Sequence, residues 1–383
     1  MNLNLLTHIP VRTSHRSAAS RLARAAGAAA AAILSCVVSA QQPRIDNARV
    51  TAQPAGSLGQ TIRSLVTAQA DASWIGYSVP VVDGERTMCC FNSGDGWSSG
   101  RFSDGSGCCG MCRLEPSVST SMTTRSPQSQ GVVKLEGSGQ MAVLLRVSAG
   151  RVERVRVFSE DCQLDAGGRP VIWLENARPA DSVAYLESLV AAQSERRVIE
   201  GAISAIALHG DAAADAALER LLAVSQPEHV RRVVPFWLGN SRGRRGLDLL
   251  RRVVREDPST DVRKKAVFGI SQSKEATAAD TLIEAARVND QTAVRGEAIF
   301  WLGQKAGQKA SAAIVERIDQ DPDTEVKKRA VFALSQLPKD EGVPLLIRVA
   351  RTNTNAVVRK QAMFWLGQSR DPRAIDFFAE ILK

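Results

Sequence analysis

The sequence predicts a mainly α protein, an α-solenoid of two-helix repeats preceded by a small, disulfide-rich β domain. Three observations lead there. A valine–basic pair recurs at Val230-Arg231, Val262-Arg263, Val294-Arg295, Val326-Lys327 and Val358-Arg359, one step every 32 residues. Before about residue 178 the pattern changes to short runs rich in β-branched residues. Cysteine is confined to the part of the chain before the repeats. A fixed period of this length marks stacked units that share one continuous core.

Residues 1–40 read as an export signal. Arg12, Arg16, Arg21 and Arg24 precede the alanine-rich run AAGAAAAAILSCVV, and no acid is present. VSA then offers a small-residue cleavage site after Ala40. The alternative is cleavage before Cys36, since ILSC is similar to a bacterial lipobox, and that would leave a lipid anchor. The protein is expected to be periplasmic or extracellular in the first case and a membrane-anchored lipoprotein in the second. No later stretch is apolar enough for a membrane span. The formal charge of +9 includes those four arginines. The modest remainder argues against a nucleic-acid partner.

Residues 41–178 are expected to form the β domain. GSLGQTIRSLVTAQ suits a single helix, QMAVLLRV and RVERVRVF a hairpin turning at Ser148-Ala149-Gly150, and VVKLEG and PVIWLE further strands. SVSTSMTTRSPQSQG reads as a loop. Cys89, Cys90, Cys108, Cys109, Cys112 and Cys162 form an even set in an oxidising compartment, which favours disulfides. Adjacent cysteines pair poorly with each other, so one adjacent pair is expected to bond to the other, with Cys162 taking a remaining partner. A single CxxC beside two adjacent pairs does not match a zinc ribbon. A redox or metal-dependent activity in this domain stays open as a rival function.

Residues 179–383 are expected to hold six repeats and a final helix near RAIDFFAEIL, the earliest and weakest copy starting at Val198. Each unit reads as an amphipathic first helix such as GLDLLRRVVRED, a turn such as DPSTD, and a second helix such as VRKKAVFGISQS. Gly239, Gly303 and Gly367, or Ser271 and Ser335, are expected to mark second-helix ends. Trp237, Trp301 and Trp365 lie 64 residues apart with Gly269 and Ala333 between them, so large and small residues alternate at one position in the stack.

These second helices resemble HEAT repeats, specifically the short bacterial kind reading V-R-x-x-A-x-x-A-L-G, also found in PBS-lyase-like proteins. Val262-Arg263, Ala266 and Gly269-Ile270-Ser271 fit the pattern, as do Val294-Arg295, Ala298 and Trp301-Leu302-Gly303. The resemblance implies an α-solenoid used for binding other molecules. The family includes di-iron deoxyhypusine hydroxylases and bilin lyases. A di-iron site needs a rich ligand set, whereas only His209 and His229 follow the signal and neither precedes a glutamate. Both are expected as solvated or capping residues. No catalytic residue, metal or cofactor is therefore expected, and the chain reads as a non-enzyme.

On a helical wheel with Val262 at 0°, Ala266, Gly269 and Ile270 define the buried face, while Phe268 falls near 240°, away from it, at about 100° per residue. Phe236, Phe268, Phe300, Phe332 and Phe364 thus form a row where such repeats usually carry polar residues. Arg232, Lys264, Lys328 and Lys360 flank it, interrupted by Gly296, and Asn240, Gln272, Gln304, Gln336 and Gln368 run along the other side. The row is either inter-repeat core or a face for a protein or peptide, with cations favouring an acidic partner. Because aromatic rows also stack sugars, a cell-envelope glycan is a further alternative. Arg263 and its copies are expected to pair with acids in the preceding turns.

Overall fold

The computed structural model describes residues 42–83, 112–115, 139–160, 162–192, 195–305 and 308–383. The export segment, Cys89, Cys90, Cys108 and Cys109, the expected loop SVSTSMTTRSPQSQG and the strand expected at VVKLEG after it lie outside the described residues. From Ala40 onward the chain is one compact unit.

Eight strands and one helix come first: β1 (Ile45–Asp46), β2 (Val50–Pro54), α1 (Leu58–Ala68), β3 (Ser73–Pro80), β4 (Cys112–Arg113), β5 (Gln140–Ser148), β6 (Arg151–Ser159), β7 (Leu164–Asp165) and β8 (Val171–Glu175). The main sheet has the order β2-β8-β3-β5-β6. The hairpin β5–β6 turns at Ala149-Gly150 as expected, both with positive φ. Pairing is parallel across β2, β8 and β3 and antiparallel beyond. The central strand β3 was not anticipated from sequence. Its SWIGYSVP run is buried on both faces, so it lacks the polar alternation of a half-exposed strand.

One face of this sheet, through Ile75, Tyr77, Val79, Val143 and Leu145, packs on helices. The other, through Trp74, Leu144, Phe158 and Trp173, is covered by Leu114, Cys162, Leu164 and Ala166, around the short sheet β1-β7-β4. Cys162 is buried and disulfide-bonded. Glu115 fastens this layer, accepting from Trp74 Nε1 at 3.0 Å and Arg146 Nε at 2.9 Å.

The helical part stacks six pairs: α2 (Pro179–Ala191) with α3 (Arg196–Leu208), α4 (Ala212–Leu221) with α5 (Glu228–Arg231) and α6 (Val234–Ser241), and α7 (Gly243–Glu256) with α8 (Thr260–Gln272). Next come α9 (Ala278–Val288) with α10 (Thr292–Lys305), α11 (Gln308–Gln320) with α12 (Thr324–Ser335), and α13 (Lys339–Thr352) with α14 (Ala356–Ser369). The last helix, α15 (Pro372–Ile381), follows. Turn side chains start the second helices: Ser259, Asp323 and Asn355 accept from backbone amides of their first turns.

Sheet and solenoid share one apolar core running from Ala55 to Phe377. Backbone bonds join them as well. Val81 forms an antiparallel bridge with His209, Val82 N donates to Leu208 O at 2.8 Å, and Gly210 N to Pro80 O at 2.8 Å. His209 is the C-cap of α3 but fully buried, not solvated. Its Nε2 meets Ser182 Oγ at 2.9 Å, and Ser182 Oγ meets Tyr77 Oη at 2.8 Å.

Candidate ligand-binding face

The second helices α6, α8, α10, α12 and α14 contact one another at every step, whereas the first helices α7, α9 and α11 touch much less. A layer with closer helix spacing lies on the inside of a curved stack, so the second helices form the inner face. Glycine allows that spacing. A methyl group on Gly239 would sit 1.8 Å from Gly269 O, and one on Gly303 2.9 Å from Ala333 O. These glycines lie inside the last turn rather than ending the helix, and their role is close approach. At Gly367 nothing lies within 4 Å.

Beneath this face runs a polar ladder. Arg231 pairs with Asp257, both buried. Arg263 Nη1 reaches Asp290 at 2.6 Å and its Nε donates to Asp257 O at 2.5 Å. Arg295 holds Asp321 at 2.9 and 3.1 Å and donates to Asn289 O at 3.0 Å. Each arginine thus takes a carbonyl from its own preceding turn or loop but a carboxylate from the next repeat, which corrects the expectation of acids in the preceding turn. The reason is reach: a guanidinium bridges two levels of the stack with its fixed fork of donors.

The phenylalanine row is joined by the tryptophans into one chain of rings. Trp237 meets Phe236 edge-on at 5.1 Å, and Phe236 stacks on Phe268 at 5.9 Å and 16°. Phe268 meets Trp301 at 4.8 Å, Trp301 meets Phe300 at 5.0 Å, and Phe300 stacks on Phe332 at 6.2 Å and 6°. Phe332 then meets Trp365, and Trp365 meets Phe364, each at 5.0 Å. Phe236, Phe268, Phe300 and Phe332 are half-buried, while Phe364 is 54% exposed. The row is therefore shared: its rings pack on one another between repeats and keep part of their surface open. Trp301 Nε1 is held by Glu297 at 2.9 Å. The 64-residue spacing of the tryptophans points to packing alone and gives no sign of this link to the phenylalanine row.

Of the flanking residues, Arg232 and Lys360 are exposed, whereas Lys264 and Lys328 are half-buried. Lys264 lies 3.8 Å from Asp261 and Lys328 3.0 Å from Glu325. Gln272 and Gln336 donate to the neighbouring Ser271 and Ser335 at 3.0 and 3.1 Å, leaving Gln304 and Gln368 exposed and without a side-chain bond among the described residues. Among the described residues no group of three or more His, Cys, Asp or Glu is placed to hold a metal ion, and no helix is long and apolar enough to cross a membrane.

The family profile of HEAT repeats matches residues 224–303, 247–323 and 311–383, in three overlapping windows. No family profile matches the N-terminal domain. No curated protein sequence matches the chain significantly. Among solved structures, human deoxyhypusine hydroxylase aligns at 17% identity over 50% of this chain and 76% of its own, with a TM-score of 0.28. The CpcE–CpcF complex of phycocyanin lyase from Nostoc sp. PCC7120 aligns at 19% identity over 39% and 98%, with a TM-score of 0.32. Kap95p aligns at 17% over 49% of this chain and 30% of its own, with a TM-score of 0.31. At such scores none of the three supports an argument about activity or partner.

Proposed function

Residues 224–383 of this chain are HEAT repeats, and on that premise we propose that it is an exported, non-catalytic scaffold binding a protein or peptide along the inner face of its solenoid. The observation that supports this most is the ring chain. Eight aromatic residues touch in sequence from Trp237 to Phe364, yet seven of them, all but Trp237, keep part of their surface open. Packing alone would be served by burying them. Half-open aromatics beside exposed amides offer apolar area together with backbone hydrogen-bonding partners, the combination an extended chain needs.

The glycan alternative is weaker, since sugars stack on ring faces and here Phe268 lies between Phe236 and Trp301. Phe332 is held the same way between Phe300 and Trp365. The rival redox or metal-dependent role belongs to a cysteine segment of which Cys89, Cys90, Cys108 and Cys109 lie outside the described residues.

The test is site-specific photo-crosslinking in the native envelope. A crosslinker replacing Gln304 or Gln336 on the inner face should give a discrete protein adduct, and one replacing the exposed Arg252 on a first helix should not. Equal adducts from both faces, or none from the inner face, would sink the proposal.

A further inference from the structure

The sequence interrupts the basic row at Gly296, and the structure fills the gap. A methyl group at Gly296 would lie 2.6 Å from Cδ, 2.8 Å from Nη1 and 3.1 Å from Nε of Arg329, so that side chain lies across the glycine of the preceding repeat. The missing side chain at Gly296 is therefore the space in which Arg329 rests. The cationic strip thus continues past Phe300, the one phenylalanine of the row with no cation four residues before it in the chain, Gly296 standing there and Glu297 beside it.

The charges on this strip are not cancelled. Arg232, Lys265, Arg329 and Lys360 are exposed and have no ion pair among the described residues. Of the acids on the same face, Glu297 is bonded to Trp301, and Asp261 and Glu325 each sit beside one lysine. Exposed pairs of that kind hold their partners weakly and leave them able to exchange. Phe268 and Phe332 each lie between two other rings, which leaves little open platform for a base at the centre of the row.

We infer that the inner face selects an acidic, extended peptide segment, with Arg329, seated over Gly296, as the residue that makes the cationic strip continuous. This rests on the proposed scaffold function and adds the chemistry of the partner. Carboxylates of the segment pair with the strip, and its apolar side chains meet the open surface of the rings. A guanidinium suits this place because its planar fork takes a carboxylate in a bidentate way.

The probe is a 16-residue peptide alternating Glu and Leu, titrated calorimetrically against the full chain beside Gln–Leu and Lys–Leu counterparts and a DNA duplex. The Glu peptide should bind at least about tenfold tighter than the Gln peptide and lose that margin as salt rises. Gly296→Ala should leave the melting temperature unchanged or raised, because alanine favours the helix, yet weaken the Glu peptide several-fold by displacing Arg329. Arg329→Gln should weaken it similarly. Equal binding of the Glu and Gln peptides overturns the inference while leaving the scaffold reading standing. So does full affinity in both variants, or a DNA duplex that binds more tightly than the Glu peptide. Failure of every peptide, together with a negative crosslinking result, removes the scaffold reading as well.

Discussion

Phe268 and Phe364 occupy one register of the repeat but not one environment. The first lies between two rings, and the second has Trp365 on one side and open surface elsewhere. Phe268→Ala should therefore cost about 2 kcal/mol in denaturant unfolding, below the range for a fully buried phenylalanine, and Phe364→Ala less than about 1 kcal/mol. Equal costs would show that the ring chain adds nothing to stability. The buried charges offer a sharper case. Arg295→Ala would leave Asp321, a fully buried carboxylate, without its guanidinium, and a loss of about 3–5 kcal/mol is expected. An ion pair that matters only at the surface would change the melting point by very little. The row of phenylalanines was legible in the sequence by its 32-residue step, as was the cationic flank. Arg329 was not, because it sits one position off the flanking register and enters the strip only by reaching back over another repeat.

At the scale of the element, glycine sets how near the second helices approach. Gly239, Gly303 and Gly367 share one register, yet an added methyl meets a carbonyl at 1.8 Å, a carbonyl at 2.9 Å and open space respectively. Alanine substitutions should rank accordingly in thermal unfolding. Gly239→Ala should lose about 3 kcal/mol, Gly303→Ala an intermediate amount, and Gly367→Ala should gain up to about 1 kcal/mol from helix propensity. A uniform effect at the three sites would mean that helix propensity, not interhelical distance, governs them. The helix pairs themselves were readable because a 3.6-residue apolar pattern and turn residues recur in phase. The strand β3 was hidden because burial on both faces removes the alternation that announces a strand.

For the whole molecule, sheet and solenoid meet at His209. Burial foremost, and the Arg242 guanidinium beside it, pull its pKa down from 6.5 to about 4, with Asp211 opposing. The folded protein therefore keeps this imidazole neutral while the unfolded chain protonates it below pH 6.5. Stability from this group is complete above that pH and lost progressively as pH falls towards about 4, by on the order of 3 kcal/mol. His209→Gln should flatten the stability profile between pH 6.5 and 4.5, and an unchanged slope would place the acid sensitivity elsewhere. The shared core also predicts a gradient in native-state hydrogen exchange. Amides of β3, β5 and α3 should be among the slowest, and those of the terminal helix α15 among the fastest, because α15 packs chiefly on α13 and α14 alone. Protection in α15 equal to that in α3 would contradict this.

The sequence by itself determined the repeat, its register and the identity of the residues on each helix face, because periodicity is a local property that any stack of equal units must display. Only the tertiary structure decided how neighbouring units use those residues. The arginines take their carboxylates from the next repeat. The tryptophans and phenylalanines join into one chain across repeats, and Arg329 fills the place of a side chain that Gly296 lacks. Each of these is a contact between residues roughly one period apart, set by the spacing and twist of the stack, and a linear pattern carries neither quantity.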